Sequence, residues 1–468
     1  MGKSLTPLTG LDAAFLYLES AGTPMHVGSV MLIELPASRA YDFHQALLAL
    51  VAERMPRAPA LRRVLHEAPL SLGHPMWADA PKLDLKKHIR KRKLPGKGGQ
   101  AKLMALVGKL HSEPLSRDLP MWQFVVIENV EPGVVALYSK IHHALLDGQG
   151  GIALAQALLD ITPNAPKSDK PAGKIAAPGK DPRTRDLASS ATRSTVRQFA
   201  NLLRALPATL KLAGSVSQAA EMIGNLRDNL LLAPGTVFNR QIGPERSFGA
   251  ISLPLDEVKR VARGFGVSLN DVVMAICAGA LRELLLTVDA LPEKSLVAAM
   301  PVSLRETGNK DVNNQVSMVQ CSLATDVADP VARLRAIHES TAQIKRRVNA
   351  FKNLFPTDFP GLAAPIWAAG LSRLWGSAHI SERLPALANV VISNVPGPPV
   401  ALYLAGAKLQ HYYPVSIVTH GLALNITVQS YAGNLEFGLT ACKNIVARPD
   451  IVARAMANAL TELGERLP

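Results

Sequence analysis

Apolar residues occur along the chain in short blocks whose spacing switches between two periods. Residues 134–141 (Val-Val-Ala-Leu-Tyr-Ser-Lys-Ile) form a nearly continuous apolar run bounded by turn residues, which predicts a buried strand. Comparable runs predict strands over 25–35, 122–127, 247–253 and 296–302, and a strand from 389 that ends in the rigid turn Pro396-Gly397-Pro398. Helices are expected over 41–51, 99–111, 152–159, 255–263, 268–286, 331–346, 361–376 and 451–463, with a short one within 9–19. Ser268 suits the N-cap of the long apolar helix, with Asp271 three residues later in the acidic variant of a capping arrangement. Residues 422–430 and 435–440, joined by Ala432-Gly433-Asn434, predict a hairpin near the C-terminus. Strands mixed with helices in both halves place the chain in the α/β class.

The periodic pattern breaks once. From 162 to about 185, Pro163, Pro166, Pro171, Pro178 and Pro182 stand among Lys, Gly and Ala residues without periodicity, as in a linker. Two amphipathic helices are expected after it, over 192–204 and 209–229. With 468 residues, more than one hydrophobic core is expected. The resulting organisation is a domain over 1–162, a linker with connecting helices over 163–238, and a second domain over 239–468.

Charge narrows the class of partner. Lys and Arg number 51 against 37 Asp and Glu, a formal net charge of +14. Such a balance points to an anionic partner: a nucleotide-bearing substrate or an acidic lipid surface. Nucleic acid is not expected, because aromatic residues are only 5% and no basic patch interleaves with them. Six cations crowd the eight residues 86–93, which read as a charged edge strand or as an electrostatic site for the phosphates of a nucleotide-bearing substrate or for anionic lipid. The three cysteines, Cys277, Cys321 and Cys442, are too few and too scattered for a disulfide framework, which fits a reduced, cytoplasmic protein. No signal region or transmembrane run is expected.

The candidate chemistry sits at His142-His143-Ala144-Leu145-Leu146-Asp147-Gly148, where the 134–141 strand ends and a glycine-rich turn begins. A histidine there is held by a rigid strand beside a loop with room for substrate, and its ordinary pKa of about 6.5 lets it take and return a proton. The pair could also be structural. No third ligand stands in recognisable spacing, so no metal is expected. No Gly-x-Ser-x-Gly elbow accompanies it, which argues against a serine esterase.

His-His-x-x-x-Asp-Gly resembles the active-site motif of the His-dependent acyltransferases. Four more segments, in the same order, resemble the bacterial wax ester synthase/acyl-CoA:diacylglycerol acyltransferases within that group. They are Leu11-Asp12-Ala13-Ala14-Phe15 before Met25-His26-Val27-Gly28; Pro114-Leu115-Ser116-Arg117 to Trp122; Asn270-Asp271-Val272-Val273; and Pro301-Val302-Ser303 with Asn313-Asn314-Gln315. The second departs from the family at Ser116, usually Asp, and at Met121, usually Leu.

The resemblance implies two chloramphenicol-acetyltransferase-like domains. It implies transfer of a long-chain acyl group from acyl-CoA to a fatty alcohol or diacylglycerol. His143 would be the general base acting without an acyl-enzyme, His142 its support, and Asp147 an orienting group, for instance through an arginine such as Arg117. Gly148 would permit the turn. Asn270 and Asp271 would play a supporting, mainly structural part at the domain interface. Asn270, Ser303 and Gln315 are candidate oxyanion donors, with Ser303 and Gln315 suited to orienting the thioester. No cofactor is expected beyond acyl-CoA as substrate. The expected location is the cytoplasmic face of a membrane or a lipid inclusion, bound peripherally. Two alternatives share the motif: a condensation-type enzyme using carrier-bound thioesters, and a non-catalytic lipid-surface protein.

Overall fold

The computed structural model describes residues 5–38, 40–67, 74–80, 83–145, 148–164, 231–303, 316–351 and 385–468. Most of the expected linker, the helices over 192–204, 209–229 and 361–376, and the residues Asp147 and Gln315 lie outside that set. In the first half the strands are β1 (Thr6–Pro7), β2 (His26–Glu34), β3 (Arg63–His66), β4 (Met76–Asp79), β5 (Ile89–Lys93), β6 (Trp122–Glu131) and β7 (Val134–His142). In the second half they are β8 (Arg246–Pro254), β9 (Val297–Ser303), β10 (Val316–Ser322), β11 (Val390–Val395), β12 (Tyr403–Leu404), β13 (Ala407–Val415), β14 (Leu424–Tyr431) and β15 (Asn434–Cys442).

Two six-stranded sheets carry the fold, which is mixed α/β in two subdomains. The first has the order β12-β13-β2-β7-β6-β5 and the second β10-β9-β11-β14-β15-β8; β1, β4 and β3 form a small third sheet. The run at 134–141 lies in the middle of the first sheet as β7, and eight of its nine residues are buried, which is why the run is apolar at nearly every position rather than at alternate ones. Its odd residues Leu137 and Ile141 face the helices Phe43–Arg54 and Gly148–Leu158. Its even residue Tyr138 faces the helix Gln100–Ser112.

The sheets do not follow the halves of the chain. β13 pairs antiparallel with β2, Tyr412 opposite Met31 and Tyr413 opposite Val30. Residues of the expected second domain therefore complete the first sheet. The physical reason is an exposed edge: β2 would otherwise leave a row of unpaired backbone groups. The halves also meet through the helix Gln100–Ser112, which packs between the first sheet and β8. Gly108 makes that approach possible, because a Cβ there would stand 2.8 Å from the Arg246 carbonyl oxygen.

The second half is built on the helix Leu269–Thr287, whose residues Val272 to Ala278 are all buried. Its capping arrangement is the expected one. Ser268 Oγ accepts the Asp271 N–H at 3.3 Å, and Asp271 Oδ2 accepts the Ser268 N–H at 2.9 Å. Among the described residues no single helix is long and apolar enough to cross a membrane; one bent pair, Leu255–Phe265 with this helix, passes by composition only, and its second member is core.

Candidate active site

The histidine pair is clamped where three strands converge. The His142 N–H donates to the Met121 carbonyl at 2.9 Å and the His143 N–H to the Met25 carbonyl at 2.8 Å, so the chain just before β6 and β2 holds the end of β7. A short 3-10 turn, His143–Leu145, follows. The helix then starts at Gly148, four residues earlier than expected, so Gln149-Gly150-Gly151 is its first turn rather than a glycine-rich loop.

The two rings have different surroundings. His142 is 0% exposed. Its Nδ1 accepts the Ala144 N–H at 3.1 Å, which leaves the ring proton on Nε2, facing Glu19 Oε1 at 3.2 Å. Glu19 Oε2 accepts from Arg117 Nη2 at 2.9 Å and Nε at 3.3 Å, and Arg117 Nη2 also donates to the Leu16 carbonyl at 3.0 Å. Burial raises the Glu19 carboxyl, but His142 and Arg117 together outweigh it and bring it down to about 2. Glu19 is therefore a carboxylate that fixes His142, and His142 in turn fixes the backbone turn carrying His143.

His143 is half-buried and stacks on Phe15, ring centroids 3.9 Å apart and 17° from parallel. Burial, with the neighbouring His142, brings its pKa down from 6.5 to about 4, although its own backbone opposes the shift. The ordinary value near 6.5 does not apply here, and the ring is neutral at physiological pH. A neutral imidazole is the form that accepts a proton. The acid limb of kcat/KM should therefore fall near pH about 4 rather than near about 6.5. A measured half-point near the higher value would mean that the ring is solvated during turnover.

On the face of β7 that carries His142, opposite to Leu137 and Ile141, lies a buried polar cluster. Lys140 Nζ donates to the Leu110 and Glu113 carbonyls at 2.8 and 2.7 Å, at the C-terminal end of the helix Gln100–Ser112. Burial pulls this ammonium down to about 8. His26 pairs in register with His142, and its Nε2 donates to the His111 carbonyl at 2.8 Å. His111 reaches Tyr138 Oη at 2.8 Å and, in the second half, the Ser416 carbonyl at 3.0 Å. His26 is fully buried and packs as a strand residue.

The other expected site residues fall elsewhere. Among the described residues, the side-chain partners of Asn270 and Asp271 lie in the second half. Asp271 holds His338 at 2.7 Å and Thr341 at 2.6 Å, and Asn270 accepts from Asn394 at 3.3 Å. Ser303 ends β9, opposite Val316 of β10. Arg117 pairs with Glu19, so the carboxylate suggested for it, Asp147, is not needed to account for its position. Ser116, where the family usually has Asp, accepts the Asp118 N–H at 3.3 Å, a turn bond that an aspartate side chain can also make. Trp122 is core, its Nε1 donating to the Leu61 carbonyl at 2.8 Å. Glu19 and Lys140 were not singled out by the sequence. The available signal for Glu19 was its place at the end of the Leu-Asp-Ala-x-Phe segment. Among the described residues no group of three or more His, Cys, Asp or Glu side chains could hold a metal ion.

A sequence model of the wax ester synthase/diacylglycerol acyltransferase catalytic domain matches residues 8–273, and that of the family's C-terminal domain matches 312–464. The chain belongs to this family. The acyltransferase is similar to the O-acyltransferase WSD of Acinetobacter baylyi, 34% identical over 475 residues, covering 99% of this chain and 96% of that one. It is also similar to the solved wax ester synthase/diacylglycerol acyltransferase of Marinobacter aquaeolei VT8, with a TM-score of 0.70, 31% identity and 98% of each chain covered. The first condensation domain of the CDA synthetase, at 15% identity and a TM-score of 0.53, shares the fold alone. The enzyme is thus an O-acyltransferase whose substrates are acyl-CoA and a long-chain alcohol or diacylglycerol.

Proposed function

We propose that His143 is the general base of this acyl transfer, acting directly between acyl-CoA and the acceptor hydroxyl with no acyl-enzyme and no cofactor. The observation that carries the reading is a neutral, half-buried imidazole at the end of a fully paired central strand, backed by the Arg117–Glu19–His142 chain. The base takes the hydroxyl proton as the oxygen attacks the thioester carbonyl. The carbon–sulfur bond then breaks, and the proton passes to the departing CoA thiolate. Burial favours transfer to the alcohol over hydrolysis by keeping water from the thioester. Asp147, Ser303 and Gln315 remain in the proposal as orienting groups, with Asn270 structural. Thiol release from palmitoyl-CoA that depends on added hexadecanol or dioleoylglycerol tests the reading; release without any acceptor would overturn it.

The chain of a bound substrate has a place on the same side of the first sheet as the His143 ring. A cavity of about 180 Å³ lies beneath the helix Gly148–Leu158, lined by Val27, Met31, Leu137, Ile141, Leu154 and Ala155. Its size is close to that of the ~150 Å³ engineered cavities that take up benzene. Ala155→Phe should shift donor preference toward shorter acyl chains, with palmitoyl-CoA turnover falling by about tenfold relative to hexanoyl-CoA. An unchanged chain-length profile would remove the cavity from the reading.

The acceptors are lipids, and the net charge is +14. We place the working enzyme peripherally on the cytoplasmic face of a membrane or on a lipid inclusion.

A further inference from the structure

We infer that the outer edge of the first sheet, β5 with the helical turn Leu85–His88 before it, is the surface by which this enzyme sits on an anionic lipid layer. The inference rests on the peripheral location proposed above and names the contact.

β5 is the last strand of its sheet, bonded only to β6 among the described residues. Ile89 is buried and the next four residues, Arg90, Lys91, Arg92 and Lys93, are all exposed. Lys86 and Lys87 are exposed as well. Three carboxylates lie near these six cations; two serve as helix caps and the third neutralises one cation. Asp84 caps the turn, accepting the Lys86 N–H at 3.1 Å. Asp42 caps the helix Phe43–Arg54, accepting the His44 N–H at 2.9 Å. Glu128 pairs with Lys91 at 2.7 Å. The remaining cations have no carboxylate partner among the described ion pairs. Charged side chains commonly protect a sheet edge, but Lys86 and Lys87 lie outside the strand that such protection would serve.

Geometry chooses the kind of anion. Along a strand, successive side chains point to opposite faces, so Arg90 and Arg92 stand on one side and Lys91 and Lys93 on the other. Four such groups do not converge on one phosphate, as a site for a single soluble nucleotide would require. They project outward from an edge and suit an extended negative surface, to which each cation adds attraction that salt screens. Beside them, between β5 and the helix Phe43–Arg54, runs an open groove of about 620 Å³. Leu48 and Ile89 form its floor, and Lys86, Arg90, Lys91 and Arg92 line it as well. An aliphatic floor with a cationic lining fits a phospholipid, with phosphate at the cations and the glycerol and upper chain below.

The edge is also near the chemistry. Ile89 pairs with Phe124, two residues beyond Trp122, which pairs with Ile141, the residue before His142. The cations therefore begin at the catalytic end of the sheet, two strand spacings or about 10 Å across from β7. A lipid layer held there lies close to the site that consumes its hydrophobic acceptors.

The test is co-sedimentation of the full chain with phosphatidylcholine vesicles, with and without a quarter of phosphatidylglycerol. The comparison is between the wild type and the triple variant Arg90→Gln, Arg92→Gln, Lys93→Gln. The wild type should bind the anionic vesicles, bind neutral ones far less, and release in high salt. The variant should bind the anionic vesicles at least tenfold more weakly, with unchanged turnover of hexanoyl-CoA and a short alcohol in the absence of vesicles. That turnover also reports that the variant is folded. Wild-type-like vesicle binding by the variant would overturn the inference while leaving the peripheral location standing. Absence of binding by the wild type would remove both. A raised KM for acyl-CoA with unchanged vesicle binding would also overturn it and assign the cations to the phosphates of CoA.

Discussion

His143→Ala should leave a folded protein whose alcohol-dependent thiol release from palmitoyl-CoA is reduced by roughly a thousandfold, the middle of the range for loss of a positioned general base. The size follows from the surroundings. The ring stacks on Phe15 and is shielded from bulk water, so solvent cannot readily act as the base in its place. The fold should survive, because the main-chain bonds that clamp this position, to Met25 and Met121, do not involve the side chain. Stability should change in a definite direction with pH. The His143 pKa is depressed in the folded state, so below about 6.5 the unfolded chain binds the proton more readily and folding loses free energy down to about 4. Removing the ring removes that loss, so the variant should be less acid-sensitive than the wild type. Far-ultraviolet circular dichroism, thermal melts across this pH range and a thiol assay report all three quantities. Activity within tenfold of the wild type would sink the assignment of the base.

Asp271→Ala should do the opposite, costing stability while sparing chemistry. The carboxylate is 1% exposed and holds the Ser268 N–H, His338 and Thr341 together at the start of the core helix Leu269–Thr287. Burial alone would raise its pKa, yet these partners outweigh burial and lower it, which marks a net favourable site for the ion. Removing it leaves the Ser268 N–H and the buried Thr341 hydroxyl without their acceptor, while the partly exposed His338 can turn to solvent, and a loss of about 2–3 kcal/mol is expected. Every partner belongs to the second half, on the helices Leu269–Thr287 and Pro330–Phe351. The kcat of the protein that remains folded should therefore stay near the wild-type value. Chemical denaturation gives the first quantity, and turnover corrected for the folded fraction gives the second. A folded but inactive Asp271→Ala protein would assign this residue to the reaction.

The contrast between these variants separates what local sequence can carry from what it cannot. The run at 134–141 determined its own strand, because only burial on both faces tolerates apolar residues at nearly every position. The helix from Ser268 was equally self-contained, since its cap and the start of its apolar stretch lie within a few residues of one another. The His-His-x-x-x-Asp-Gly motif determined the class of chemistry and, with the other family segments, the reaction. These are short-range statements, and periodicity and capping act at short range.

Only the tertiary structure decided that β13, more than 370 residues after β2, joins the first sheet beside it. Which edge a strand joins depends on which other edges are free, and spacing carries no record of that. The same holds for Arg117, which finds Glu19 almost a hundred residues away. It holds also for Lys140, whose charge caps the end of a helix beneath the strand it belongs to. The working pKa of His143 belongs in this group too. The residue type sets the ordinary value near 6.5, but the shift to about 4 comes from burial against Phe15 and its neighbours, which exists only once the helix Gly10–Leu18 has packed on the turn after β7.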